Sequence, residues 1–172
     1  VEGFLVMSMR IAALFTLLLA SAAGSLWPAT ARADDNEVFK LVTAELVVTA
    51  LHNAGARRFS TSIDSLGDPQ IEAETDGLSF DVLFYDCEDE ACQKVPFRVE
   101  FQDDETTAEE ARGMMGKWNR EWVFGKAYID DDGNMTLEHA IYARDGVTRA
   151  NLQRNADLWV ELVEDFSAAI GW

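Results

Sequence analysis

The chain has 172 residues, with 31 acidic and 14 basic side chains and a formal net charge of −17. A field of that sign repels nucleic acid and anionic membrane surfaces, so neither is an expected partner. The only basic doublet is Arg57-Arg58.

The N-terminal stretch reads as an export signal. Val1 to Met9 looks like upstream or alternative-start sequence, with Met7 and Met9 as candidate initiators. Arg10 supplies a positive n-region, Ile11 to Ala20 a short apolar core, and Ala31-Arg32-Ala33 an A-x-A cleavage signal. Ser21, Gly24, Ser25 and Pro28 interrupt the apolar run, which falls short of the about 20 residues of a spanning helix. No cysteine near the cleavage site offers a lipid anchor. The expectation is therefore upstream sequence and a cleaved signal peptide over 1–33, and one domain over 34–172. That domain would act in the periplasm or be secreted, with no stable membrane anchor. Cleavage leaves 139 residues, with 30 acidic side chains against 12 basic ones, enough chain for a single core.

Asp35 or Asn36 is a candidate cap for a first helix running to about Asn53, stopped by Gly55. Val38, Leu41, Val42, Leu46 and Thr49 make one face. Phe59, Thr61 and Ile63 alternate as a short strand, and Ile71, Ala73 and Thr75 as another. Asp76-Gly77 is a two-residue hairpin signal. Leu78, Phe80, Val82 and Phe84 oppose Ser79, Asp81, Leu83 and Tyr85. Val95, Phe97, Val99 and Phe101 oppose Pro96, Arg98, Glu100 and Gln102. These patterns predict amphipathic antiparallel strands with one face buried. Thr107-Ala108-Glu109-Glu110 is a capping box, opening a helix striped by Ala111, Met114, Met115 and Trp118. Gly113 and Gly116 weaken that helix by about 1 kcal/mol each relative to Ala. Close packing on the sheet is the compensating role that small residues there suggest.

Trp122, Phe124, Lys126 and Tyr128 then alternate with Val123, Gly125, Ala127 and Ile129. Both sets are largely apolar, which predicts a central strand covered on both faces. In the next strand Met135, Leu137, His139 and Ile141 share one face. Thr136, Glu138, Ala140 and Tyr142 take the wetter one. Asp130-Asp131-Asp132-Gly133-Asn134 between them is a hairpin turn. Acidic runs at Asp86–Glu90, Asp103–Glu105 and Asp130–Asp132 all fall between predicted elements and read as solvated loops. After Gly146, Thr148 suits a helix N-cap, and Val147 with Leu152 a hydrophobic staple. Asn151 stands where a full capping box would have Glu or Gln. Leu152, Trp159, Leu162, Val163 and Phe166 are spaced as the core stripe of a last helix. The rival reading of that stripe is a partner groove or a homodimer seam.

The ordered set Trp118-Asn119, Tyr128, Asp130, Gly133, then Gly146-Val147-Thr148, Asn151 and Trp159 resembles the YbjN family. Phe84-Tyr85-Asp86-Cys87 followed by Cys92 adds to it, and the likeness runs from about Glu37 onward. The resemblance implies a type III secretion chaperone-like fold of order α-β-β-β-α-β-β-α, and a sensory or stress-regulator role. It implies no catalytic residue, so the motif residues are read as structural.

Cys87 and Cys92 are the only cysteines. In an oxidising compartment they read as a structural disulfide closing a strand–strand connection. A redox pair is the rival, but C-x-x-C spacing is missing and the acidic neighbours raise a thiol pKa. Two cysteines with no nearby His are too few for zinc. His52 and His139 have no Ser, Cys or carboxylate at motif spacing. A calcium reading of the Asp130 loop fails, because the Gly and Glu positions of an EF-hand fall on Met135 and Ile141. No phosphate-binding or nucleophile-elbow motif occurs, and no cofactor or metal is expected.

The fold expected is α+β: an antiparallel sheet covered by about three helices, with one extra short strand allowed for. The function expected is non-enzymatic, a chaperone-like or regulatory domain that binds a protein partner through surface aromatics. Trp172 is the best candidate for a free one. The alternative is an enzyme or small-ligand binder with a site assembled from scattered residues.

Overall fold

The computed structural model describes residues 34–103 and 105–172. The residues read as an export signal, both candidate initiators and the Ala31–Ala33 motif lie outside the described residues. Three helices and a large antiparallel sheet make an α+β fold.

The chain opens with two short strands, β1 (Val38–Phe39) and β2 (Val42–Thr43). Helix α1 (Ala44–Ala54) follows, then β3 (Arg57–Ile63), β4 (Pro69–Thr75), β5 (Leu78–Leu83), β6 (Tyr85–Glu88) and β7 (Ala91–Phe101). Helix α2 (Ala108–Glu121) leads to β8 (Lys126–Ile129) and β9 (Met135–Tyr142). The chain ends with β10 (Val147–Thr148) and α3 (Arg149–Ile170). The main path is β3-β4-β5-β7-β9-β8, with β2 and β6 also on β7, and β1 pairing β10 apart from it. Between α1 and α2 the residue pattern indicated four extended runs, and four are present. The third kinks at Phe84 into β5 and β6, so the three-strand order implied by the resemblance is exceeded.

Alternation decides which side of the sheet is covered. Val95↔Ile141, Phe97↔His139 and Val99↔Leu137 lie on the helix side, where Phe80, Phe97 and Trp159 form the centre of the core. Lys94↔Tyr142, Pro96↔Ala140 and Arg98↔Glu138 lie on the open side. The stripe on α3 is core: Leu152, Ala156, Trp159, Leu162, Val163 and Phe166 are all buried. Trp159 Nε1 is buried and finds no acceptor among the described residues, its ring lying against Phe80 and Phe97.

Several expectations need correction. The first helix is not capped by Asp35 or Asn36. Thr43 caps it, its hydroxyl accepting from Leu46 N–H at 3.4 Å. The residues before it serve α3 instead: the N–H groups of Arg149 and Ala150 donate to the carbonyls of Glu37 and Asp35. Gly55 does end α1, at φ +112°. Gly113 and Gly116 do not pack on the sheet. A side chain at Gly113 would meet open space, and at Gly116 only the end of Arg120. The first of the acidic runs is not all loop: Asp86 to Glu88 belong to β6, held in register by Cys87↔Cys92. Thr136 is fully buried despite its wetter-face position, its hydroxyl satisfied by donation to the Asp130 carboxylate.

The largest correction concerns β8. It is not central and begins only at Lys126. It pairs with β9 alone. Trp122 still donates its N–H to the Trp118 carbonyl, ending α2, and Gly125 turns the chain at φ +76°. A side chain at Gly125 would stand 3.1 Å from Leu137 and 3.3 Å from Leu162. That leaves Trp122-Val123-Phe124 outside the sheet.

Candidate protein-docking surface

The displaced aromatic segment is held by its two neighbours on α2. Trp118 is buried, and its indole N–H donates to the Gly125 carbonyl at 2.8 Å. Asn119 forms a clamp on β8. Its carbonyl accepts from Ala127 N–H at 2.9 Å, and its amide donates to Ala127 C=O at 2.7 Å. A side chain thus does what a neighbouring strand would do, and the outer edge of β8 is closed at that residue. The Trp-Asn pair is a positioning device for residues 125–127.

What it positions is exposed and apolar. Val123 is 89% exposed, Phe124 56% and Trp122 39%, with Trp122 stacked on Trp118 at 4.5 Å between ring centres. Single exposed apolar residues are ordinary; three in succession on a braced turn are not. Beside them β9 runs out of cover. β8 reaches only Glu138, so among the described residues His139 to Tyr142 have β7 on one side and no strand on the other. The groove along this free edge measures ≈ 490 Å3 and is lined by Trp122, Val123, Phe124, Glu138, His139 and Ala140 among others. A second groove of ≈ 420 Å3 shares Glu138 and Ala140 with it and continues over the open face to Tyr85, Pro96 and Tyr142. Tyr142 is 57% exposed.

His139, which sequence spacing left without a role, sits at this groove. Its Nε2 lies 2.9 Å from the Asn155 side-chain oxygen, and its ring between Phe97 and Phe124. Asn155 in turn donates to the Asn151 carbonyls of main chain and side chain. The motif residue Asn151 therefore reaches the groove through Asn155. Tyr128 donates to Glu138 at 2.9 Å on the open face. Burial, together with the neighbouring Glu138 carboxylate that accepts this bond, pushes its phenol up to about 12. Lys126 stands over the Tyr128 ring.

The remaining motif residues build turns and caps. Asp130 Oδ1 accepts from the N–H groups of Asp132 and Asn134, and Oδ2 from the Asn134 amide, Thr136 and Arg98. Both oxygens are thereby used within the hairpin, as the turn reading requires. Burial raises the Asp130 pKa, but these hydrogen bonds outweigh it and hold the carboxyl below its ordinary value. Gly133 takes φ +93° in the same turn. Gly146 takes φ +113°, and a side chain there would come within 2.6 Å of Val38. Thr148 caps α3 through Asn151 N–H, and Val147 and Leu152 are both buried. Cys87 and Cys92 are bonded to each other. His52 lies in the last turn of α1 beside Phe59. Of the large aromatics, Trp118 and Trp159 are core, as their helix stripes predict, and Tyr128 is half-buried. Trp172 is exposed but lies edge-on to Phe101.

Among the described residues, no three His, Cys, Asp or Glu side chains converge as a metal site requires, and no helix is long and apolar enough to cross a membrane. The fold is that of a small α+β domain with an exposed apolar turn beside a strand edge. A family model described as "Putative bacterial sensory transduction regulator" matches residues 43–172, and the chain belongs to that family, YbjN. Comparison with curated proteins and with solved structures returned no match.

Proposed function

We propose that this protein is a non-catalytic regulatory domain that docks another protein on the Trp122–Phe124 turn and the free edge of β9. The observation that carries the reading is their adjacency. An unpaired strand edge offers backbone donors and acceptors, and the flanking apolar side chains offer burial. The family description supports a regulatory role, and the exposed aromatics support protein binding. Export is part of the reading, supported by the Arg10–Ala33 sequence and by a disulfide that an oxidising compartment would maintain. The exported form is expected to begin at Asp34. An intact mass retaining Met9 to Ala33 would contradict that.

The test is the pair Val123→Ser and Phe124→Ser, both at exposed positions. Each should remove a partner crosslinked in the native compartment while circular dichroism stays unchanged. One observation favours the alternative of an enzyme or small-ligand binder: His139 and Glu138 line the same groove. A turnover that is lost on His139→Asn or Glu138→Gln, with the fold intact, would replace the docking reading.

A further inference from the structure

A third groove lies at the other end of the sheet. It measures ≈ 550 Å3 and runs between the start of α1 and the end of β3. Ala44, Val48 and Ile63 give it apolar walls, and its only charged lining residues are Glu45 and Glu90. Glu90 is placed there by the turn of the Cys87–Cys92 hairpin, and Glu45 by the pairing of β2 with Ala91 and Cys92 beside that turn. Among the described residues β3 is the terminal strand of the sheet, paired with β4 on one side only. Its last four residues, Ser60 to Ile63, are all exposed, Ile63 by 58%. Thr61↔Ile71 and Ile63↔Pro69 put Thr61 and Ile63 on the helix side, facing the groove. The basic doublet is at the far end and engaged: Arg57 donates to the carbonyls of Gly55 and Ala56, and Arg58 pairs with Glu74.

We propose that this groove binds an extended peptide segment of a partner protein, carrying Lys or Arg beside an aliphatic residue. The segment adds as a strand to Ser60–Ile63. Every second side chain then points to the helix side, where aliphatic groups meet Val48 and Ile63 and a cation meets Glu45 and Glu90. Charge selects the ligand, because no basic side chain lines the groove and the whole chain is strongly acidic. The free backbone edge favours a peptide over a small amine, since another extended backbone matches the spacing of its donors and acceptors and a small amine does not. This surface is separate from the Trp122–Phe124 turn, so Phe124→Ser leaves it intact and the two proposals fail independently.

The probe is a fluorescent synthetic peptide with Val and Lys alternating on one strand face and Ser on the other. Its binding to the purified protein is followed by anisotropy. Binding should weaken as salt rises, and by about tenfold in the Glu45→Gln/Glu90→Gln variant, two exposed pairs being lost. Bound peptide should slow amide exchange at Ser60–Ile63. Equal binding of a peptide with Glu in place of Lys would overturn the proposal. So would an unchanged affinity in the double variant, or protection appearing at His139–Tyr142 alone. Full displacement by spermidine at the peptide's own concentration would show that the backbone edge is unused. A dimer that buries β3, seen by light scattering, would make a second copy the occupant and also end it.

Discussion

Replacing Asn119 by Ala removes the clamp on Ala127. Two hydrogen bonds are lost, at 2.9 and 2.7 Å, and the edge of β8 returns to solvent. Each such bond contributes about 0.5–1.5 kcal/mol net, so the expected loss is about 1–3 kcal/mol. For a domain of this size that lowers Tm by roughly 3–5 °C per kcal/mol. The local effect is sharper than the global one. Ala127 N–H has the Asn119 oxygen as its acceptor, so its exchange should accelerate far more than that of Leu137 in the middle of β9. Asn119→Asp keeps the acceptor but loses the donor and sets a charge beside the Ala127 carbonyl, so it should not rescue. Because Trp118 and Asn119 together brace residues 125–127, the variant should also weaken partner docking at the turn. Thermal unfolding and amide exchange followed by mass spectrometry provide the measurements. An unchanged Tm with unchanged exchange at Ala127 would refute the clamp.

Other perturbations have definite signs. Asp130→Asn should cost about 2–4 kcal/mol at pH 7, since hydrogen bonds to a charged acceptor are the stronger kind. The Asp130 carboxyl titrates lower in the folded state than unfolded, so its stabilisation is present above the unfolded value and lost as pH falls through the folded one. The wild type should therefore lose stability below about pH 4 more steeply than Asp130→Asn, as chemical denaturation across that range would measure. Gly146→Ala places a side chain 2.6 Å from Val38 at φ +113°, and should destabilise by about 1–3 kcal/mol while exposing β1 and the residues before it to proteolysis. Gly113→Ala meets open space on a helix and should stabilise by up to about 1 kcal/mol, read as a rise in Tm. Cys87→Ser with Cys92→Ser should cost about 2 kcal/mol from loop entropy alone, measured by urea unfolding against the oxidised wild type.

Local chemistry made much of this fold legible. Asp76-Gly77, both at positive φ, Thr107 with Glu110, and Thr148 act where their side-chain chemistry says they should. Strand alternation identified the buried set of β4, β5 and β7, because one face of each meets the helices. The failures have one common cause: pattern does not show which long-range partner is present. Trp122 to Ile129 alternates perfectly as apolar sequence, yet α2 runs on to Glu121 and the Trp118 and Asn119 side chains take the place of a strand. Asp35 and Asn36 have the chemistry of caps, but their segment is spent on α3, more than a hundred residues away. The candidate site was legible only as a set of aromatics. Trp118 and Trp159 follow their helix stripes into the core, whereas the exposure of Val123 and Phe124 depends on that same displaced turn. One signal was available: Gly125 in the middle of an apolar alternation marks a break as readily as a strand.

The docking claim is tested most directly by a photo-crosslinking residue at position 123, introduced in the native compartment, with position 161 on the exposed side of α3 as control. The account predicts a discrete protein adduct from position 123 that disappears when Phe124→Asp is added, and none from position 161. Adducts of equal yield from both positions, or an adduct from position 123 that survives Phe124→Asp, would contradict it.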